Sequence, residues 1–367
     1  MAGGLVLKYL EPRTDVPAKD DWSTRLALAE ARIGLEQRLI TVVTALTFVA
    51  TFFLPATPGN TAARIVLGVH VLLALPLLLV HRSERRMLRR GLLDEPWRRV
   101  PADVAQRPEN DYADRLLLGG LVLKGAFNDL ADVVRSRREV FVCGPDARGR
   151  AVVRGAGSTS MYPAEVDEGE YSPAPPADSE PGRPRDDERL RDGLRLTGSF
   201  VHLSCVLTVL GVVVIGVLVA LSVSPLAPAG LIAAALLMPG LSPFKVAEAV
   251  RRQRHLVRAV AESEEWTPVP TELLPWRRGH HVAGIADLPG GRALVRFPRP
   301  SPDLVANIAG TGVMWVAGTH RDTAAVGVPG RRELMSAVVL PDRAASPGDP
   351  MPWWRRLRQT DFSDLPT

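Results

Sequence analysis

Four long apolar runs in two closely spaced pairs dominate the hydrophobic pattern: Leu39 to Leu54 extending to Ala56, Ala62 to Val80, Leu196 to Val223, and Leu226 to Phe244. A helix crossing a bilayer needs about 20 apolar residues for a core of about 30 Å. The pattern therefore predicts four transmembrane helices arranged as two tandem hairpins. The turns inside the pairs, Pro55 to Thr61 and Ser222 to Ala229, are uncharged, whereas HRSERRMLRR (His81 to Arg90) and VRRQRHLVR (Val250 to Arg258) follow the second and fourth runs. Arg25, Arg32 and Arg38 precede the first run. Basic residues collect on the cytoplasmic side, which predicts a multi-pass protein of the bacterial cytoplasmic membrane with both termini in the cytoplasm. The 38 residues of mixed charge before the first run do not fit a cleaved signal peptide.

Behind each hairpin the period changes. Arg82 to Pro101 aligns with Arg251 to Pro270 at an offset of 169, with identities that include Arg82/Arg251, Arg85/Arg254, Arg89/Arg258, Trp97/Trp266 and Pro101/Pro270. Farther on, at an offset of 174, Asp129-Leu130 meets Asp303-Leu304, Val142-x-Gly144 meets Val316-x-Gly318, and Ala151-Val152 meets Ala325-Val326. The chain reads as a tandem duplication. Each copy holds a basic helix and a small cytoplasmic α+β module: a Gly-Gly hairpin of two strands, a short helix opened by Asp129 or Asp303 as its cap, then further valine-rich strands. Trp97 and Trp266 lie too far behind the apolar runs for the lipid interface, which places them in the module cores.

The expected layout is thus an N-terminal segment with an amphipathic helix (1–38), hairpin 1 (39–81), basic helix and module 1 (82–163), linker (164–192), hairpin 2 (193–244), basic helix and module 2 (245–341), and a tail (342–367). The linker has ten carboxylates against four arginines between Glu165 and Asp192, many prolines and few aliphatic residues, the composition of a disordered segment.

Charge changes the picture little. The net charge is +5, but 41 of the 45 basic residues are arginine and they sit beside apolar runs, so membrane topology explains them and nucleic acid is not an expected partner. Arg82, Arg85, Arg86, Arg89, Arg251, Arg252, Arg254 and Arg258 are candidate contacts for anionic lipid. In the tail, Trp353, Trp354, Arg355 and Arg356 form a candidate interfacial or docking peptide. Two cysteines, Cys143 and Cys205, give no disulfide framework.

Catalytic signals are weak. His280-His281 lacks a carboxylate or cysteine at a ligand spacing, so no metal and no other cofactor is expected. His70 and His202 have no acidic partner within the spans, which disfavours a proton path. RGAGSTS, Arg154 to Ser160, resembles a small phosphate-cradling loop without the Walker lysine and reads better as a surface turn.

At PWRRVPADV, VFVCGPDARGRAVVRG and GVMWVAGTHRDTAAVGVPG the chain resembles a group of uncharacterised actinobacterial integral membrane proteins with a membrane hairpin followed by a small cytoplasmic module. The resemblance implies an envelope location and no known activity. The expected function is a non-enzymatic integral membrane scaffold or regulator whose duplicated modules dock a protein partner or each other. A transporter or channel component is the alternative, and a lipid-acting enzyme the second.

Overall fold

The computed structural model describes residues 8–53, 91–106, 114–175, 183–199, 243–274, 282–298, 300–320, 323–332 and 334–340, with positions 61, 64, 68 and 71. Short alternating or valine-rich runs between glycine turns become strands, and the two modules come out alike. Module 1 holds β1 (Arg98–Pro101), β2 (Asp103–Val104), β3 (Asp114–Leu118), β4 (Leu121–Gly125), α2 (Asn128–Arg137), β5 (Glu139–Cys143), β6 (Arg150–Arg154) and β7 (Tyr162–Val166), behind the long helix α1 (Trp22–Thr51). Module 2 follows α3 (Pro243–Ala261) and holds β8 (Thr267–Leu273), β9 (Val282–Leu288), β10 (Gly291–Phe297), α4 (Pro302–Thr311), β11 (Val313–His320), β12 (Thr323–Gly327) and β13 (Leu334–Leu340).

Module 2 is a closed antiparallel barrel in the order β10-β13-β12-β11-β8-β9. Its closing strand, β8, pairs with β11 through Thr267 to Pro270 and with β9 through Thr271 to Leu273. Module 1 repeats this order in a seven-stranded sheet, β1-β5-β6-β7-β4-β3-β2. There the closing strand is interrupted at Ala102, so that β1 pairs with β5 and β2 with β3. Valine, leucine and phenylalanine fill each interior, with Phe127, Leu130 and Val140 in one and Phe297, Ile308 and Met314 in the other. Trp97 and Trp266 are both buried, and Trp97 packs with Ala18, Leu93, Phe141 and Val152 on the outside of module 1.

This architecture corrects the helical-membrane fold class. Among the described residues no helix is long and apolar enough to cross a membrane. In α1, the first half carries Arg25, Glu30, Arg32, Glu36 and Arg38, leaving 13 residues from Leu39 to Thr51, about 20 Å of helix against a core of about 30 Å. In α3 the basic residues Lys245, Arg251, Arg252, Arg254 and Arg258 interrupt any apolar window. The other three expected spans lie almost entirely outside the described residues. The integral membrane scaffold, the transporter, the lipid-acting enzyme and the cytoplasmic-membrane location all presupposed those spans and are withdrawn with them.

Both modules, with the start of α1, belong to one compact unit; Arg32–Arg82 and Leu194–Arg254 form another. Within that second unit Arg64 turns back to the end of α1, its Nη2 donating to the Thr51 carbonyl at 2.8 Å. The linker is more ordered than its composition suggests. Asp167 pairs with Arg115 at 2.8 Å, Ala174 donates to the Val104 carbonyl, and residues 188–199 are helical, while 176–182 lie outside the described residues.

Candidate functional site

The RGAGSTS loop is no surface turn, since Gly155 to Thr159 are buried. It leaves β6 and crosses to the N-terminal end of α4 in the other module. There Ser158 Oγ donates to Asp303 Oδ2 at 2.7 Å, while the Thr159 amide and hydroxyl donate to Asp303 Oδ1 at 2.7 and 2.6 Å. The loop does cradle an anion, but the anion is a carboxylate of the chain itself. Asp303 is therefore not the helix cap that its position suggested. Ser301 takes that role by accepting from the Leu304 amide, which leaves Asp303 in the first turn, where the partial positive charge of the helix end favours a carboxylate.

The return contact has the same form. The loop after β12 reaches α2 of module 1, where Arg332 Nη2 donates to Asp132 Oδ2 at 2.8 Å and its Nε stands 3.7 Å from Asp129 Oδ1. At the repeat offset of 174, Ser158 corresponds to Arg332 and Asp129 to Asp303. The modules thus touch through a reciprocal, approximately two-fold contact, the arrangement of an isologous dimer interface within one chain. Two further bonds cross the seam: Arg331 Nη2 to the Ala156 carbonyl at 2.7 Å and Asn307 Nδ2 to the Gly157 carbonyl at 2.6 Å.

The start of α1 adds a buried ion pair. Asp21 caps that helix by accepting from the Thr24 amide at 2.8 Å, and the same oxygen accepts from Ser23 Oγ at 2.5 Å, Thr24 Oγ1 at 2.8 Å and Arg154 Nη1 at 3.3 Å. Both charged side chains are fully buried. Burial alone would push the Asp21 carboxyl up, but the hydroxyl bonds from Ser23 and Thr24 and the charge of Arg154 bring it below its ordinary value. Burial brings Arg154 down to about 10, against the pull of Asp21 and Asp303. Trp97 Nε1 donates to Thr24 Oγ1 at 3.1 Å, tying the cluster on the outside of module 1 to the same helix start.

Copy two has a counterpart that sequence reading missed. DDWSTRLAL (Asp20 to Leu28) and DDERLRDGL (Asp186 to Leu194) share Asp20/Asp186, Asp21/Asp187, Arg25/Arg191 and Leu28/Leu194 at an offset of 166. Asp187 caps its helix through the Arg189 and Leu190 amides. However, Val328 stands where copy one has Arg154, and burial raises the Asp187 carboxyl above its ordinary value.

The residues singled out from sequence are not brought together here. Arg251, Arg254 and Arg258 are exposed on α3, and Arg252 pairs with Glu248. Arg82, Arg85, Arg86, Arg89, Trp353, Trp354, Arg355, Arg356, His70, His202, His280 and His281 lie outside the described residues. No group of three or more His, Cys, Asp or Glu side chains able to hold a metal occurs among the described residues. Cys143 is buried, and burial pushes its thiol up to about 12, which leaves it a poor nucleophile. The seam is the site where long-range polar contacts converge. No family model, curated protein or solved structure matches this chain.

Removal of the central acceptor tests how much the seam contributes. Asp303→Ala leaves the Ser158 hydroxyl and the Thr159 amide and hydroxyl without their acceptor and removes the carboxylate that stands 3.8 Å from Arg331 Nη1, and is expected to cost about 3 kcal/mol. Urea denaturation measures the loss, and faster exchange of the Thr159 amide locates it.

Proposed function

We propose that the protein is a non-enzymatic recognition protein in which the two β modules, locked across their seam, act as one platform for a protein partner. The observation that carries this reading is that an extended N-terminal segment is gripped by groups from both modules: the Leu10 carbonyl accepts from the Gly157 amide of module 1, and the Leu10 amide donates to Asn307 Oδ1 of module 2. A surface assembled from two modules that reads backbone is suited to binding chain. The polar groups of the seam support the same reading. A general acid or base must hold its working atom within hydrogen-bond reach of a substrate. Here the Asp303 and Asp21 oxygens are filled by the chain's own donors.

Crosslinking in native cells, with the full chain compared with Asp303→Ala, tests the platform. Crosslinks to a specific protein should fall at least fivefold when the seam is loosened while near-ultraviolet dichroism still reports folded modules. Equal crosslinking by both proteins would overturn the reading.

A further inference from the structure

The N-terminal segment sits across the seam in the manner of a bound peptide. Leu10 is only 4% exposed, and both of its backbone polar groups are satisfied, at 3.0 Å to Asn307 Oδ1 and 2.7 Å from the Gly157 amide. The Asn307 side chain is itself held by the carbonyls of Gly157 at 2.6 Å and Asp303 at 2.7 Å, so its oxygen is presented in a fixed direction. Two glycines make the space. A Cβ on Gly310 would stand 2.7 Å from Leu10 Cδ1, and one on Gly157, where φ is +74°, would stand 3.2 Å from the Tyr9 ring. Tyr9 lies against the core of module 2. Its hydroxyl donates to the Pro329 carbonyl at 3.3 Å, and the Arg137 guanidinium of module 1 stands 3.4 Å from its ring centre. After Leu10, Glu11 and the stretch from Arg13 to Asp15 are exposed.

We propose that this groove is a recognition site for an extended aromatic-leucine segment of a partner protein, and that Tyr9-Leu10 occupies it in cis as a displaceable strap. The proposal rests on the platform reading above and supplies its site. The chemistry of the occupant defines the ligand. A backbone amide and carbonyl meet Asn307 and Gly157, a leucine fills the notch beside Gly310, and an aromatic ring faces the Arg137 cation, which attracts the negative face of a ring. A tethered occupant competes at an effective concentration on the order of millimolar. The groove in the intact chain is therefore closed to weak ligands and opens only to a partner that outcompetes the strap.

A protease site placed in the exposed stretch from Arg13 to Asp15 lets the full chain fold before the tether is cut. A fluorescent synthetic peptide of residues 5–16 is then added in excess and its anisotropy followed. The cut protein should take up the peptide saturably and the uncut protein at least tenfold more weakly, while a peptide carrying Leu10→Asp should bind neither. The proposal fails if the cut protein takes up no peptide, if both peptides bind equally, or if cutting makes no difference. It also fails if the uncut chain is a dimer and the cut chain a monomer, since the segment would then be an exchange device between copies. Peptide uptake without seam-dependent crosslinks in cells would keep the groove and remove the platform's partner. Seam-dependent crosslinks that ignore both cutting and peptide would keep the platform and remove the groove.

Discussion

Gly318→Ala is expected to lower the stability of the fold by about 3–5 kcal/mol, combining the cost of a strained backbone with that of overpacking. Gly318 sits at φ +136°, at the point where the pairing of β11 with β12 slips by a residue. A side chain there is strained before it touches anything. It would also place its Cβ 2.2 Å from the Ala259 carbonyl oxygen and 3.2 Å from Ser263 Cβ. The first neighbour is backbone at the end of α3, buried against the barrel, and cannot swing aside as a flexible side chain would. Gly291→Ala separates the two costs, because Gly291 has φ +114° but nothing within 4 Å of its would-be Cβ. It should cost about 1–2 kcal/mol, the strain alone. Urea denaturation of both variants reads the difference, and a Gly318→Ala protein within 1 kcal/mol of Gly291→Ala would show that α3 is not seated as the structure has it.

The same glycine shows how far sequence reading reached. Val142-x-Gly144 and Val316-x-Gly318 stood out as a matched pair, and in the structure both glycines have positive φ and a carbonyl oxygen in the way of a Cβ. The duplication was legible because identical strand and turn requirements were imposed twice. The fold class was misread because long apolar runs outweighed short strands, although a buried strand such as β5, EVFVC, takes only five residues. Closure was not legible either, since it depends on one strand pairing to both sides, and nothing local marks Thr271 as the residue where β8 changes partner.

The seam was hidden for a different reason. Asp303 looked like a helix cap and Ser158 like part of a surface turn because local rules count solvent as the default partner. Their true partners lie 145 residues away. A signal was nonetheless present in the recurrence of Asp-Asp four residues before an arginine, at Asp20-Asp21 and Asp186-Asp187. It would have marked the helix starts as part of the repeat and drawn attention to the residues facing them.

Those two helix starts predict opposite electrostatic behaviour. Arg154→Met is expected to cost about 3–5 kcal/mol near neutral pH, because it leaves the Asp21 carboxylate buried without its cation. Adding Asp21→Asn should recover a large part of that loss, since the neutral amide needs no cation, and the difference between single and double variants reads the coupling of the pair. Acid should narrow the gap. In the unaltered chain the folded Asp21 carboxyl lies below its ordinary value, so its contribution is present above about pH 4 and is lost as pH falls through the lowered value. Without Arg154 the upward push of burial is opposed only by the hydroxyl and amide bonds from Ser23 and Thr24, so the variant has less stability to lose as the group protonates. In copy two Val328 stands at the position of that arginine, and burial raises the half-buried Asp187 against the Leu190 and Arg189 amides and the charges of Arg189 and Arg191; the stability tied to that group is full below the ordinary aspartate range and declines as pH rises through the raised value. Asp187→Asn should therefore stabilise the chain at neutral pH, whereas Asp21→Asn alone should destabilise it by stranding Arg154. Urea midpoints between about pH 2 and 6 for the two variants would show slopes of opposite sign relative to the parent, the Asp21→Asn change falling below about pH 4 and the Asp187→Asn change above it, and parallel slopes would mean that the two carboxyls do not sit in opposite environments.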